Sequence, residues 1–208
     1  VVGDAVEDYV AVVAALDDEP GVDAFELNVS CPNVRAGGME FGADPGTLAD
    51  VVRRARAATH RPLFVKLSPT AQDIVASARV CVDAGADAIT LVNTLPGLVV
   101  DIERRRPALG FGSGGVSGAA LLPVGVLATS KVRRALGAGI PVLGVGGVSS
   151  AHDALQYLIA GATLVGIGTA ALRNPRVPEH VVRDLQRWCD RHGVRSLGEV
   201  IGTLEWPA

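Results

Sequence analysis

The chain has 208 residues, 49% hydrophobic and 20% charged, enough apolar surface for one substantial core and a single domain over residues 1–208. Its 19 basic and 22 acidic side chains leave a formal charge of −3 with no stripe of one sign, which argues against nucleic acid and anionic membranes as partners. The three cysteines, Cys31, Cys81 and Cys189, are odd in number and far apart, a pattern of reduced cytoplasmic thiols and neither a disulfide framework nor a metal site. No run is apolar for long enough to span a bilayer, and the opening VVGDAVEDYV lacks a leader pattern.

Aliphatic, β-branched runs alternate with stretches of helical period. Residues 1–3 read as the end of a strand, followed by a helix over about 5–16 and a strand over 25–29. Helix 47–59 leads to strand Leu63–Leu67, and helix 71–84 leads to strand 88–92. A Gly-rich excursion over 95–118, carrying Asp101, Glu103 and Arg104 to Arg106, breaks the rhythm and reads as an insertion, a hairpin over the mouth of the fold. Helix 120–138, strand Val142–Val145, helix Ala151–Ala160, strand 163–167 and helix 178–192 complete the order. Nearly continuous apolar strands suit a parallel sheet buried on both faces.

The segments AGADAIT, GAGIPVLGVGG and AGATLVGIG each place a helix end, a tight turn and a buried strand in about a dozen residues, the return unit of a TIM (β/α)8 barrel. Five full strands fall short of eight, so the expected fold is an incomplete barrel with about two βα units missing at the N-terminus.

In such a barrel, chemistry collects just after each strand. Those positions hold Asn28, Cys31 and Asn33, then Lys66, then Asn93 and Thr94, then Gly146 and Gly147, then Gly168 and Thr169. Glycine turns on two adjacent closing strands can present bare backbone N–H groups to a phosphate, although glycines also serve tight turns alone. Lys66 ends the apolar strand PLFVKL, where a cation asks for an anionic partner or snorkels to the rim. Cys31 can act as a base only if its site helps the thiol, of ordinary pKa about 8.5, to ionise, so activity should rise toward alkaline pH. Cys81 and Cys189 lie inside predicted helices and read as small buried hydrophobes.

ELNVSCPNV followed by GGMEFGADP resembles the catalytic loop of class 1 dihydroorotate dehydrogenases. PLFVKLSPT, AGADAITLVNT, GGVSG, IPVLGVGGV, GATLVGIGTA and GVRSLGEVIG resemble later motifs of that family in the same order. The resemblance implies an FMN-dependent oxidation of dihydroorotate to orotate in pyrimidine biosynthesis, with Cys31 as the base at C5 and hydride transfer from C6 to flavin N5. It implies that Asn28, Asn33, Asn93 and Thr94 bind substrate, and that Lys66, Val92, Gly118, Gly146, Gly147, Gly168 and Thr169 bind FMN. CPNVRAGGMEFG is similar to the B type, which implies a homodimer core, NAD as final acceptor, and a partner subunit carrying FAD and a 2Fe–2S cluster. Ser117-Gly118-Ala119-Ala120 departs from the family's SGPA, and the family's N-terminal strands, with a lysine and an asparagine-rich loop, have no counterpart. Two other readings stand beside this one: pyrimidine reduction of the dihydropyrimidine dehydrogenase kind, and a non-catalytic barrel fragment serving as an assembly surface.

Overall fold

A computed structural model describes residues 1–30, 32, 33 and 39–207, with the backbone alone at 32, 33, 39 and 40. Cys31 lies outside the described residues, and the Asn33 side chain lies outside them too.

Helix α1 (Val6–Leu16) opens where the Asp8 carboxylate accepts the Asp4 and Ala5 N–H groups at 2.9 and 2.8 Å, satisfying donors that a helix start leaves bare. Strand β1 (Phe25–Asn28) and the short antiparallel pair β2 (Pro32–Asn33) and β3 (Met39–Glu40) precede α2 (Pro45–Ala57). Asp44 caps α2 by accepting Thr47 N–H at 2.7 Å, with Pro45 at its first position. Leu48, Val51, Val52 and Ala55 then give α2 one fully buried stripe at helical spacing. Next come β4 (Leu63–Leu67), α3 (Ile74–Asp83), capped by Asp73, and β5 (Ala88–Leu91). Within the 95–118 excursion, β6 (Leu95–Gly97) pairs with β9 (Gly114–Val116), enclosing β7 (Val100–Asp101) paired with β8 (Arg106–Pro107). The expected hairpin is therefore two nested antiparallel pairs. Helix α4 (Leu122–Leu136), β10 (Val142–Val145), α5 (Ala151–Ala160), β11 (Leu164–Gly166), the short α6 (Thr169–Arg173) and α7 (Val177–His192) follow.

The main sheet runs β1-β4-β5-β10-β11, all pairs parallel. Spatial order follows chain order without the reversal that marks a doubly wound sheet, and helices pack on one another in the same succession, α1 on α2, α2 on α3, α3 on α4 and α4 on α5. This is an arc of a (β/α) barrel. Residues 1–3 do not form the strand end expected of them, yet Val1 lies along the outer edge of β1, donating to Glu26 O at 2.7 Å and accepting Asn28 N–H at 2.9 Å.

Strand geometry sorts side chains onto two faces. Phe25, Leu27, Leu63, Val65, Leu67, Ile89 and Leu91 are buried in the cluster shared with α1 to α4. Register places Asn28, Lys66 and Thr90 side by side on the opposite, interior face, with Glu26, Phe64 and Ala88 one layer below. On that face the fully buried Thr90 hydroxyl donates to the Glu26 carboxylate at 2.6 Å, spanning β4.

Candidate cofactor and substrate cavity

A cavity of about 560 Å³ opens at the C-terminal ends of β4, β5, β10 and β11, within the size range of small-molecule sites. Lys66 enters it from β4. Beyond β5, Val92 N–H donates to Val145 O at 3.0 Å and Asn93 N–H to Leu67 O at 2.9 Å, so the backbone of the turn is tied to both neighbouring strands as Val92, Asn93 and Thr94 face the cavity. The Asn93 amide donates to Asn28 Oδ1 at 3.0 Å and accepts Thr94 N–H at 2.8 Å, which fixes its plane.

Beyond β10, Gly146 and Gly147 line the cavity at φ 129° and 74°, a region that side-chain-bearing residues avoid. A Cβ at Gly147 would also lie 2.7 Å from Leu122 N and 3.0 Å from Gly118 O, so only glycine lets this turn pack against the start of α4. Ser149 and Ser150 then lead into α5: the Asp153 carboxylate accepts Ser149 N–H and Oγ–H, both at 3.0 Å, while Ser150 Oγ accepts Asp153 N–H at 3.2 Å. Gly168 and Thr169 close the cavity beyond β11, where Thr169 donates to Ser117 Oγ at 2.9 Å beside Gly118.

The cavity thus brings together Lys66, Val92, Asn93, Thr94, Gly118, Gly146, Gly147, Gly168 and Thr169. Asn28 stands behind, bonded to Asn93. Sequence reasoning missed Ser117, Ser149, Asn174 and, above all, Arg173, which sits in a five-residue helix too short to show periodicity. Lys66 and Arg173 are the charged side chains of the lining, with no carboxylate among them, and neither forms an ion pair among the described residues. Lys66 rises from β4 and Arg173 from α6, beyond β11, with β5 and β10 between the two strands. A lining with two cations and no carboxylate favours an anionic ligand.

Cys81 is fully buried in α3, and burial pushes its thiol up to about 12, whereas Cys189 is only half-buried on α7, so the reading as a buried hydrophobe holds for Cys81 alone. Among the described residues no group of three His, Cys, Asp or Glu side chains is placed to hold a metal ion, and no helix is long and apolar enough to cross a membrane.

A (β/α) barrel arc whose strand ends surround a cation-lined cavity defines the class. Residues 1–188 match the family described as dihydroorotate dehydrogenase. A Geobacter protein named dihydroorotate dehydrogenase B (NAD(+)), catalytic subunit, is 43% identical over 98% of this chain and 66% of its own length. A Solibacter usitatus protein named putative dihydroorotate dehydrogenase A (fumarate) is 44% identical over 99% of this chain and 67% of its own. Among solved structures, a DHODH from Eimeria tenella in complex with ferulenol superposes with a TM-score of 0.77 at 21% identity, over 95% of this chain and 57% of that one, a likeness of fold. The chain belongs to the dihydroorotate dehydrogenase family. It spans about 66% of the length of the Geobacter relative.

Proposed function

We propose that this chain is the FMN-binding, substrate-oxidising part of a dihydroorotate dehydrogenase, converting dihydroorotate to orotate. The observation that carries the reading is the lining of the cavity: two cations, no carboxylate, and glycine turns beyond two adjacent strands. FMN fits this donor set: the Gly146–Gly147 and Gly168–Thr169 turns would hold its phosphate and Lys66 would hold its ring. When bound, FMN supplies the acceptor for the hydride that leaves C6 of the substrate.

The chain's own residues supply the remainder. Lys66 would hold the cofactor's ring, and its positive charge would stabilise the negative charge that reduction develops there. Asn28, Asn33, Asn93 and Thr94 hold the pyrimidine ring and carboxylate, with the mutual bond of Asn93 and Asn28 pre-setting two of the amides. Cys31 removes the proton at C5 as the C6 hydride departs, leaving the ring double bond of orotate. The likeness of CPNVRAGGMEFG to the B type further supports a homodimer working with a separate FAD and 2Fe–2S subunit and passing electrons to NAD.

The test is anaerobic bleaching of the bound flavin by dihydroorotate, in wild type and Cys31→Ser, with the reduced flavin read at its visible absorbance. Bleaching that slows by about 10²- to 10⁴-fold in the variant at neutral pH is expected. A flavin bleached by dihydrouracil and indifferent to dihydroorotate overturns the substrate assignment, and a protein that takes up no flavin overturns the reading altogether.

A further inference from the structure

Tyr157 lies on α5, in the helical layer, and is fully buried. Its ring passes between two glycines: a Cβ at Gly144 on β10 would run into the ring, and a Cβ at Gly125 on α4 would run into the hydroxyl. The hydroxyl therefore arrives beneath the turn that follows β10, donates to Gly146 O at 3.0 Å, and lies 3.3 Å from where a Gly146 Cβ would stand. Burial pushes the phenol well above its ordinary range, so it is a permanent donor. Two glycines on two elements, Gly144 and Gly125, thus clear the path by which this one hydroxyl reaches the turn.

We infer that Tyr157 is a positioning residue for the Gly146–Gly147 turn, acting through its hydrogen bond to Gly146 O to hold the turn's backbone for a phosphate ester. A turn in which both residues have positive φ carries few local restraints of its own. One donor fixing the Gly146 carbonyl also fixes the peptide plane that continues to Gly147 N–H, the side of the turn that the cavity sees. The inference rests on the FMN reading for its ligand, while the ordering of the turn is independent of it.

The experiment uses Tyr157→Phe, which keeps the ring and removes the donor. Dissociation constants for FMN and riboflavin are measured by flavin fluorescence, and backbone hydrogen exchange over residues 146–148 is followed in the flavin-free protein. FMN affinity should fall about tenfold with riboflavin unchanged, and exchange across the turn should accelerate. A purely structural tyrosine would weaken both flavins alike or neither, and either result overturns the inference. If the wild type binds neither flavin, the FMN reading fails and exchange alone decides: faster exchange in the variant upholds the positioning role, and unchanged exchange removes it.

Discussion

The side-chain amide of Asn93, beyond β5, donates to that of Asn28, at the end of β1, across the full width of the intervening strand β4. Two asparagines 65 positions apart in sequence thus form one preset unit at the cavity floor. In the proposed enzyme, Asn93→Ala should raise KM for dihydroorotate tenfold or more with flavin content retained. Because each amide orients the other, the Asn28→Ala, Asn93→Ala double variant should lose about 1 kcal/mol less than the sum of the singles. Strict additivity in steady-state kinetics would show that the pair does not act together.

The two cations of the lining should separate by function. Lys66→Met should slow flavin reduction by about 10²-fold in stopped-flow bleaching, the scale of losing one preorganised charge partner. Arg173→Gln should weaken FMN relative to riboflavin at low ionic strength, with the difference vanishing near 1 M salt, where screening acts within about 3 Å. An equal effect on both flavins would place Arg173 away from the phosphate.

Thr90 donates to the half-buried carboxylate of Glu26 at 2.6 Å from a position that water does not reach. Thr90→Val keeps the shape and leaves the carboxylate without this donor. A loss of about 1.5–3 kcal/mol of folding stability is expected, read as a lower urea midpoint at unchanged slope. Glu26→Gln, which retains an acceptor, should cost less.

Asp153 carries a pH signature. Desolvation raises its carboxyl pKa, but hydrogen bonds from Ser149 and Ser150 outweigh this and hold it below the ordinary carboxylate value. A folded pKa below the unfolded one, about 3.9, means that stabilisation is complete above that pH and disappears as pH falls through the folded value. Wild type should therefore melt above Asp153→Asn by a constant margin from pH 7 to about 5, and the margin should close in stronger acid. A margin that persists at low pH would separate the cap from its charge.

The strands of the sheet were legible as short aliphatic, β-branched runs between turn residues: β5 is buried throughout, and β4 sets Leu63, Val65 and Leu67 into the core even with Lys66 on its other face. The cavity-lining positions Lys66, Asn93 and Gly147 were legible because in a barrel such residues fall at the end of each strand or just beyond it. The nested pairs β6–β9 and β7–β8 were not, because strands of two or three residues leave no period to count. Arg173 hid in a helix of five residues. The contact of Tyr157 with Gly146 depends on how α5, β10 and α4 stack, and no local pattern encodes that.

The excursion between β5 and α4 leaves and returns through one doorway, since Leu95 pairs with Val116. Its outer positions, including Leu98, Val99, Ile102 and Phe111, stand in solvent and contribute nothing to the core, and closing a longer or shorter loop changes folding free energy by only about 0.6 kcal/mol per doubling. A segment of different length or sequence can therefore be carried between β5 and α4, changing what stands beside the cavity without disturbing the parallel sheet beneath it.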